Sequence, residues 1–289
     1  MRVTVADEVA AVRAIPDPLQ RAQQAGQLLA EFSSASADLG AIRREAMETL
    51  TADGMTPAGL ADALGVSRAR VSQLMRSGPP PERALLAPDP GPVTVVVAGK
   101  VESDRPDPQP VVASDDLAAW ETLADLARTL HLDISYEVLA PGEYLRLNRS
   151  NLVVMVGPRL APNIREVLES DDCLSFARDE RGWHLRDRVA GAVHRSPMDH
   201  GEPGDVAYLG RLPRPDGRGT ILYLAGIHAA GEAGAAHWLA HHVADLYREV
   251  RTRRCSMLIG STHDQTASPR RVVASDRLTP VYRPGGGAQ

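Results

Sequence analysis

Aromatic side chains are scarce, at 4% of 289 residues, and Phe32 and Phe176 are the sole phenylalanines, so the interior must be built from Ala, Val and Leu. Two cysteines, Cys173 and Cys255, lie far apart in apolar stretches. That excludes a disulfide framework and the clustered spacing of a zinc site, and both read as reduced, buried thiols. No apolar run approaches the ~20 residues of a membrane span. The opening MRVTVADEVAAV has neither the basic start nor the apolar core of a secretory signal, so the expected setting is cytoplasmic with no membrane partner. An excess of one charge is also missing: 32 basic and 37 acidic residues leave a formal charge of −5. No whole-chain field draws the protein to DNA or to anionic lipid, and any nucleic-acid contact must be local. Lysine is nearly absent, Lys100 being the one exception among arginines.

The length suits about two domains of ~100 to 200 residues. Residues 78–92 (GPPPERALLAPDPGP) hold six prolines in fifteen positions, which removes backbone donors and turns the preceding residues away from helix; the stretch reads as a linker. Before it, residues 17–32 and 38–50 carry apolar side chains at helical spacing (Leu19, Ala22, Leu28, Leu29, Phe32; Leu39, Ile42, Ala46, Leu50), so residues 1–77 read as an all-α domain. After it, β-branched runs at 93–98 (VTVVVA), 152–156 (LVVMV) and 221–225 (ILYLA) alternate with helical patterns such as 117–130. Residues 93–283 therefore read as an α/β domain of Rossmann-like type. Residues 174–178 and 183–187 flank DERG as a hairpin, which predicts a mixed sheet. The tail 284–289 reads as disordered.

Residues 57–76 (PAGLADALGVSRARVSQLMR) carry the strongest local signal. Two helices that cross closely need a small residue at the crossing, a tight or left-handed turn between them and apolar residues on the facing sides. Ala61 supplies the crossing and Gly65 the turn; Leu60 and Leu64 are expected to face inward, Val66 to plug the turn, and Val71 and Leu74 to face back. Ser67 is placed to cap the second helix and Pro57 suits the first turn of the helix before it. The outward face then presents Arg68, Ala69, Ser72 and Gln73, with Arg76 further along. Arg can read guanine and Gln adenine through paired hydrogen bonds, while Ser67 and free N–H groups can hold a phosphate. Four arginines against one acid, Glu82, between Arg68 and Arg83 focus positive charge there. The stretch GMTPAGLADALGVSRARVSQLM resembles the helix-turn-helix of bacterial regulators, particularly the region 4 type of sigma factors. By that resemblance Arg68, Ala69, Ser72 and Gln73 are major-groove residues. The likeness covers about the first 80 residues and includes no polymerase-binding regions, so it does not imply a sigma subunit.

In α/β domains ligands bind beyond the carboxyl ends of the strands, where a Gly-bearing loop meets a helix start. Two such loops occur. After residues 152–156 come Gly157, Arg159 and Asn163; after residues 221–225 come Gly226, His228, Gly231, Glu232 and Gly234, with Lys100 at the end of the first strand. These, together with Arg211 near a turn rich in Arg214 and Asp216, are the candidate contacts for a small nucleotide-like or phosphate-bearing ligand. The glycines lack dinucleotide-fingerprint spacing and serve equally as turn and packing residues. His237 and His241 have the i, i+4 spacing of a metal-binding helix, yet Trp238 stands where a metalloprotease has Glu and a third ligand is not evident. No catalytic residue, metal site or cofactor is assigned.

These features together predict a regulator: a DNA-binding helical domain that acts on double-stranded DNA as a homodimer, and an α/β domain that senses a small ligand. Residues 17–50 are the candidate dimer surface. Two other readings stay open. One is a nucleotide-processing enzyme that cleaves a glycosidic or phosphate bond, with Glu232 or Asp199 as its carboxylate and the DNA-binding module localising it. The other is a DNA-binding adaptor whose α/β domain binds protein.

Overall fold

In the computed structural model, which describes residues 5–76, 79–101 and 110–283, the chain divides into two units at Pro81/Glu82. Arg76 is described in its backbone alone, and the tail 284–289 and Gly78 lie outside the described residues.

The first unit contains helices α1 (Val5–Arg13), α2 (Pro18–Ala52), α3 (Pro57–Leu64) and α4 (Arg68–Arg76). Where the apolar spacing suggested two helices, a single helix runs through, because residues 33–37 (SSASA) hold neither Pro nor Gly to stop it. Asp17 caps its start, accepting from the Gln20 N–H at 2.7 Å, and Pro18 follows in the first turn. The core of this unit is small: Met47 of α2, Leu60 and Ala61 of α3, and Val71 and Leu74 of α4. Gly65 makes the turn with φ 64, a left-handed geometry that costs a glycine nothing, and the Val66 N–H reaches back to the Ala61 carbonyl. Leu64 departs from expectation: as the last residue before the turn it lies past the Leu60–Ala61 contact and stays 43% exposed.

The second unit is α/β. Its strands are β1 (Val93–Val101), β2 (Pro110–Val112), β3 (Ile134–Leu139), β4 (Leu152–Met155), β5 (Leu174–Asp179), β6 (Gly182–Asp187), β7 (Ala192–His194), β8 (Gly204–Pro213), β9 (Thr220–Gly226), β10 (Cys255–Asp264) and β11 (Arg271–Arg277). Helices α5 (Ser114–Thr129), α6 (Ile164–Leu168) and α7 (Ala229–Val250) are interspersed. Eight strands form one sheet in the order β11-β10-β8-β9-β4-β1-β2, with β3 also paired to β1. β3, β1, β4 and β9 are parallel, whereas β2, β8, β10 and β11 run antiparallel to their neighbours. The sheet is thus mixed, though not through the DERG hairpin: β5, β6 and β7 make a separate antiparallel sheet.

β1 is buried on both faces, as its unbroken Val run requires of a central parallel strand. On one face α5 and α7 pack Leu123, Leu126, Leu239 and Leu246 over Val95, Val97, Met155 and Leu224. On the other face Leu168, Leu174 and Leu185 of α6 and the small sheet cover Val96, Val154, Tyr208 and Tyr223. Two buried carboxylates join the small sheet to the main one: Asp171 accepts from the Tyr208 hydroxyl, and Asp187 from the Tyr282 hydroxyl, both at 2.7 Å.

Much of the proline-rich stretch belongs to this unit rather than to a linker. A 3-10 helix (Pro81–Leu85) leads Leu85 and Leu86 into the core beneath α5 and α7, each 1% exposed. The Asn151 side chain exchanges hydrogen bonds with the Asp89 main chain and donates to the Gly91 carbonyl. Prolines that exclude helix do not exclude packing; they fix an extended path that apolar side chains can anchor.

Candidate functional site

In the first unit, Thr56 caps α3 by accepting from the Gly59 N–H, and Ser67 caps α4 by accepting from the Arg70 N–H, each at 3.1 Å. With Val71 and Leu74 buried, Arg68, Ala69, Arg70, Ser72 and Gln73 form the exposed face of α4. Sequence spacing passed over Arg70, which donates to Gln73 Oε1 at 2.7 Å. That contact takes one of the two lone pairs of the oxygen with which Gln73 would receive an adenine amino group. Arg83, counted in the same positive cluster, is buried in the other unit.

In the second unit, β1, β4 and β9 end side by side and open a crevice. Lys100 comes from β1; Gly157 and Arg159 from the loop after β4; Gly226 and His228 from the exit of β9; Glu232 from the first turn of α7. Asp116, in the first turn of α5, completes its floor, and Phe176 and Trp183 of the β5–β6 hairpin wall one side. The crevice is narrow, about 40 Å³, room for roughly three waters. Its backbone is tight: a Cβ on Gly226 would stand 2.1 Å from the His228 carbonyl and 2.8 Å from the Gly231 Cα, so only glycine permits this turn.

Three buried acids govern the electrostatics. Asp205, on β8, accepts from the main-chain N–H groups of His228 (2.9 Å) and Gly231 (2.8 Å) through Oδ2, capping α7 although His228 itself offers no side-chain cap. Glu232 and Asp116 lie together in the crevice, and Asp116 Oδ1 and Glu232 Oε2 are buried with no hydrogen-bond partner. Burial, then the Asp116 charge, pushes the Glu232 carboxyl well above its ordinary range; burial raises Asp116 as well, opposed by the neighbouring Glu232 carboxyl and by Lys100. Two buried carboxyls this close resist ionising together. At the mouth, His228 Nε2 lies 2.8 Å from Asp199 Oδ1. The arrangement offers a hydroxyl-bearing molecule two buried carboxyl groups beside the Lys100 side chain.

Of the expected ligand contacts, Gly157, Arg159, Gly226, His228 and Glu232 line the crevice. Gly231 supports it from behind, where a Cβ would stand 2.6 Å from Asp205 Oδ2. Gly234 packs against Ser261. Asn163 turns away and donates to the Leu145 carbonyl at 2.8 Å. Arg211 is a structural residue: wholly buried on β8 opposite Leu222, it donates to Thr220 Oγ1 at 2.7 Å and to the carbonyls of Ala84 and Leu85. Burial pulls its pKa down to about 10. Arg214 and Asp216 pair with each other in the β8–β9 turn. Asp116 and Asp205 were missed, since an acid in a first helical turn or on a strand gives no local sign of what it will face; the hairpin that brings Phe176 and Trp183 was legible, but not its place beside the crevice.

His237 Nδ1 contacts Ser275 Oγ and His241 Nδ1 contacts the His237 carbonyl, each at 2.8 Å. Among the described residues, Asp171, Asp172 and Cys173 form the one cluster spaced for a metal, and Asp171 is already committed to the N–H groups of Cys173 and Leu174 and to Tyr208. Both cysteines are free, Cys255 buried and Cys173 half-buried. No helix among the described residues is long and apolar enough to cross a membrane. Comparison with protein-family models, with curated proteins and with solved structures found no match.

Proposed function

We propose that this chain is a sequence-specific DNA-binding regulator of the cytoplasm, acting as a homodimer, whose α/β unit binds a small hydroxyl-bearing, nucleotide-like ligand. The observation that carries the DNA-binding half is the face of α4. Arg68, Arg70, Ser72 and Gln73 stand exposed at the start of a helix whose other side is locked to α3 across a left-handed turn. This is the geometry with which a recognition helix enters a major groove, N-terminal residues first. One such helix makes few base contacts, and specific affinity comes from two half-sites about 34 to 36 Å apart. α2 suits the pairing, for Leu29, Leu39 and Ile42 are each more than 60% exposed along it.

The ligand-binding half rests on the crevice at the ends of β1, β4 and β9, where Glu232 and Asp116 present a buried pair of carboxyl groups. A tenfold preference of the ligand for one DNA-binding state corresponds to ~1.4 kcal/mol of coupling. The test is selection of binding sites from random duplex DNA, followed by titration. Arg68→Ala should cost ~1 to 3 kcal/mol on the selected site if Arg68 reads a base, and a loss uniform across sequences makes it a phosphate contact. Failure of the full-length protein to enrich any sequence would refute the regulator reading.

The same acid pair favours a second reading, in which the α/β unit hydrolyses part of a nucleotide with Glu232 as proton donor. Turnover by the wild type that Glu232→Gln abolishes even at ligand concentrations that saturate the variant would establish it.

A further inference from the structure

A phosphate is not well served inside the crevice. The start of α7, where free N–H groups would attract one, is filled by Asp205, whose Oδ2 takes the His228 and Gly231 donors. The start of α5 carries Asp115 and Asp116, and Asp116 faces the crevice beside Glu232. These acids favour hydroxyl donors and repel a dianion.

A second concavity lies beside the crevice. Pro158, Phe176 and Trp183 line both the crevice and a wider groove of about 440 Å³ beyond it. Into that groove converge Arg165 of α6, Arg178 of β5 and Arg188 just past β6, with Glu169 the acid on its wall. All three arginines are exposed, and none forms an ion pair among the described residues. The neighbouring acids are engaged elsewhere: Asp171 with two main-chain N–H groups and Tyr208, Asp179 with Arg195, Asp187 with the N–H groups of Val189 and Ala190 and with Tyr282. Three arginines distant in sequence thus line one concavity that shares Pro158, Phe176 and Trp183 with the crevice of the acid pair.

We propose that this groove is the phosphate subsite of the ligand, and that the ligand is a phosphorylated sugar, free or within a nucleotide. Its hydroxyls point to Asp116 and Glu232, its ring passes Phe176 and Trp183, and its phosphate rests on Arg165, Arg178 and Arg188. This deepens the ligand half of the proposed function and rests on it. The aromatic pair sits where an apolar sugar or base face must pass, and arginine matches a phosphate with paired donors.

Isothermal titration of the full chain with ribose 5-phosphate, ADP-ribose, ribose and inorganic phosphate tests the assignment. Binding of a phosphorylated probe at least ~100-fold tighter than ribose or phosphate alone is expected, since both subsites then contribute. Arg165→Ala with Arg178→Ala should weaken that probe ~100-fold, each charge-assisted contact accounting for about tenfold. Glu232→Gln should weaken it with the arginines intact. Equal affinity for ribose 5-phosphate and ADP-ribose supports a free phosphorylated sugar, and a strong preference for ADP-ribose supports a nucleotide. Unchanged affinity in the double arginine variant overturns the subsite while the crevice reading stands. Inorganic phosphate binding as tightly as ribose 5-phosphate, or loss of DNA affinity in place of sugar-phosphate affinity, also overturns it. Failure of every probe to bind folded wild-type protein overturns the subsite and the ligand reading together. Because both arginines are exposed, the variants should keep the wild-type unfolding midpoint, which is checked alongside.

Discussion

Replacing Asp205 by alanine tests the idea that α7 is held in place by a carboxylate from a neighbouring strand. Asp205 is about 1% exposed, and its Oδ2 accepts from the main-chain N–H groups of His228, at the helix cap, and Gly231, which also reaches the His228 carbonyl at 3.0 Å. A hydrogen bond to a charged group contributes ~1.5 to 3 kcal/mol, so two give ~3 to 6. Against this stands the cost of keeping the carboxylate out of water, visible in burial raising its pKa. We expect a net loss of ~3 kcal/mol, or ~6 to 12 °C in Tm for a domain of this size. Asp205→Asn keeps an acceptor oxygen and forfeits the charge facing the helix dipole, so it should lose ~1 kcal/mol. Urea unfolding followed by circular dichroism gives both values. If the two substitutions cost the same, or both cost under ~1 kcal/mol, Asp205 does not hold the helix start.

The burial of Glu232 beside Asp116 predicts a pH signature. The folded pKa of Glu232 lies above the ordinary 4.5, so its favourable contribution is full below that value and is lost as pH rises toward the folded pKa. Glu232→Gln has no proton to lose, and its Tm relative to wild type should climb above about pH 5; parallel profiles would count against a raised Glu232 pKa. Arg211→Ala should strand the Ala84 and Leu85 carbonyls, cost ~3 kcal/mol and open the segment at Arg83 to trypsin; persistence of the wild-type digestion pattern would contradict the anchoring role. Leu39→Glu with Ile42→Glu on α2 should turn a dimer into a monomer in sedimentation measurements with little change in Tm, since both side chains are exposed; an unaltered dimer would place the contact elsewhere.

What the sequence disclosed was local. The Ala61, Gly65, Val71 and Leu74 positions have their meaning within one turn or two, and the structure packs them together. The Val-rich runs of β1, β4 and β9 and the DERG hairpin are likewise short-range signals. What stayed hidden depends on partners distant in the chain. Arg211 meets carbonyls 126 and 127 residues away, and Asp205 meets N–H groups 23 and 26 residues away. Arg211 read as a ligand contact because arginine near a glycine turn is ambiguous until its surroundings are known. The prolines of residues 79–92 masked Leu85 and Leu86, since a segment that cannot form a helix can still bury two leucines.

Lys100 is the chain's sole lysine, and it stands in the wall of the crevice. Apart from the amino terminus, the molecule presents a single primary amine to any amine-directed reagent. A fluorophore ester or a reversible aldehyde would mark this one position without engineering, and whatever fills the crevice would shield it from the reagent. The scarcity of lysine gives the protein a built-in reporter of its own occupancy.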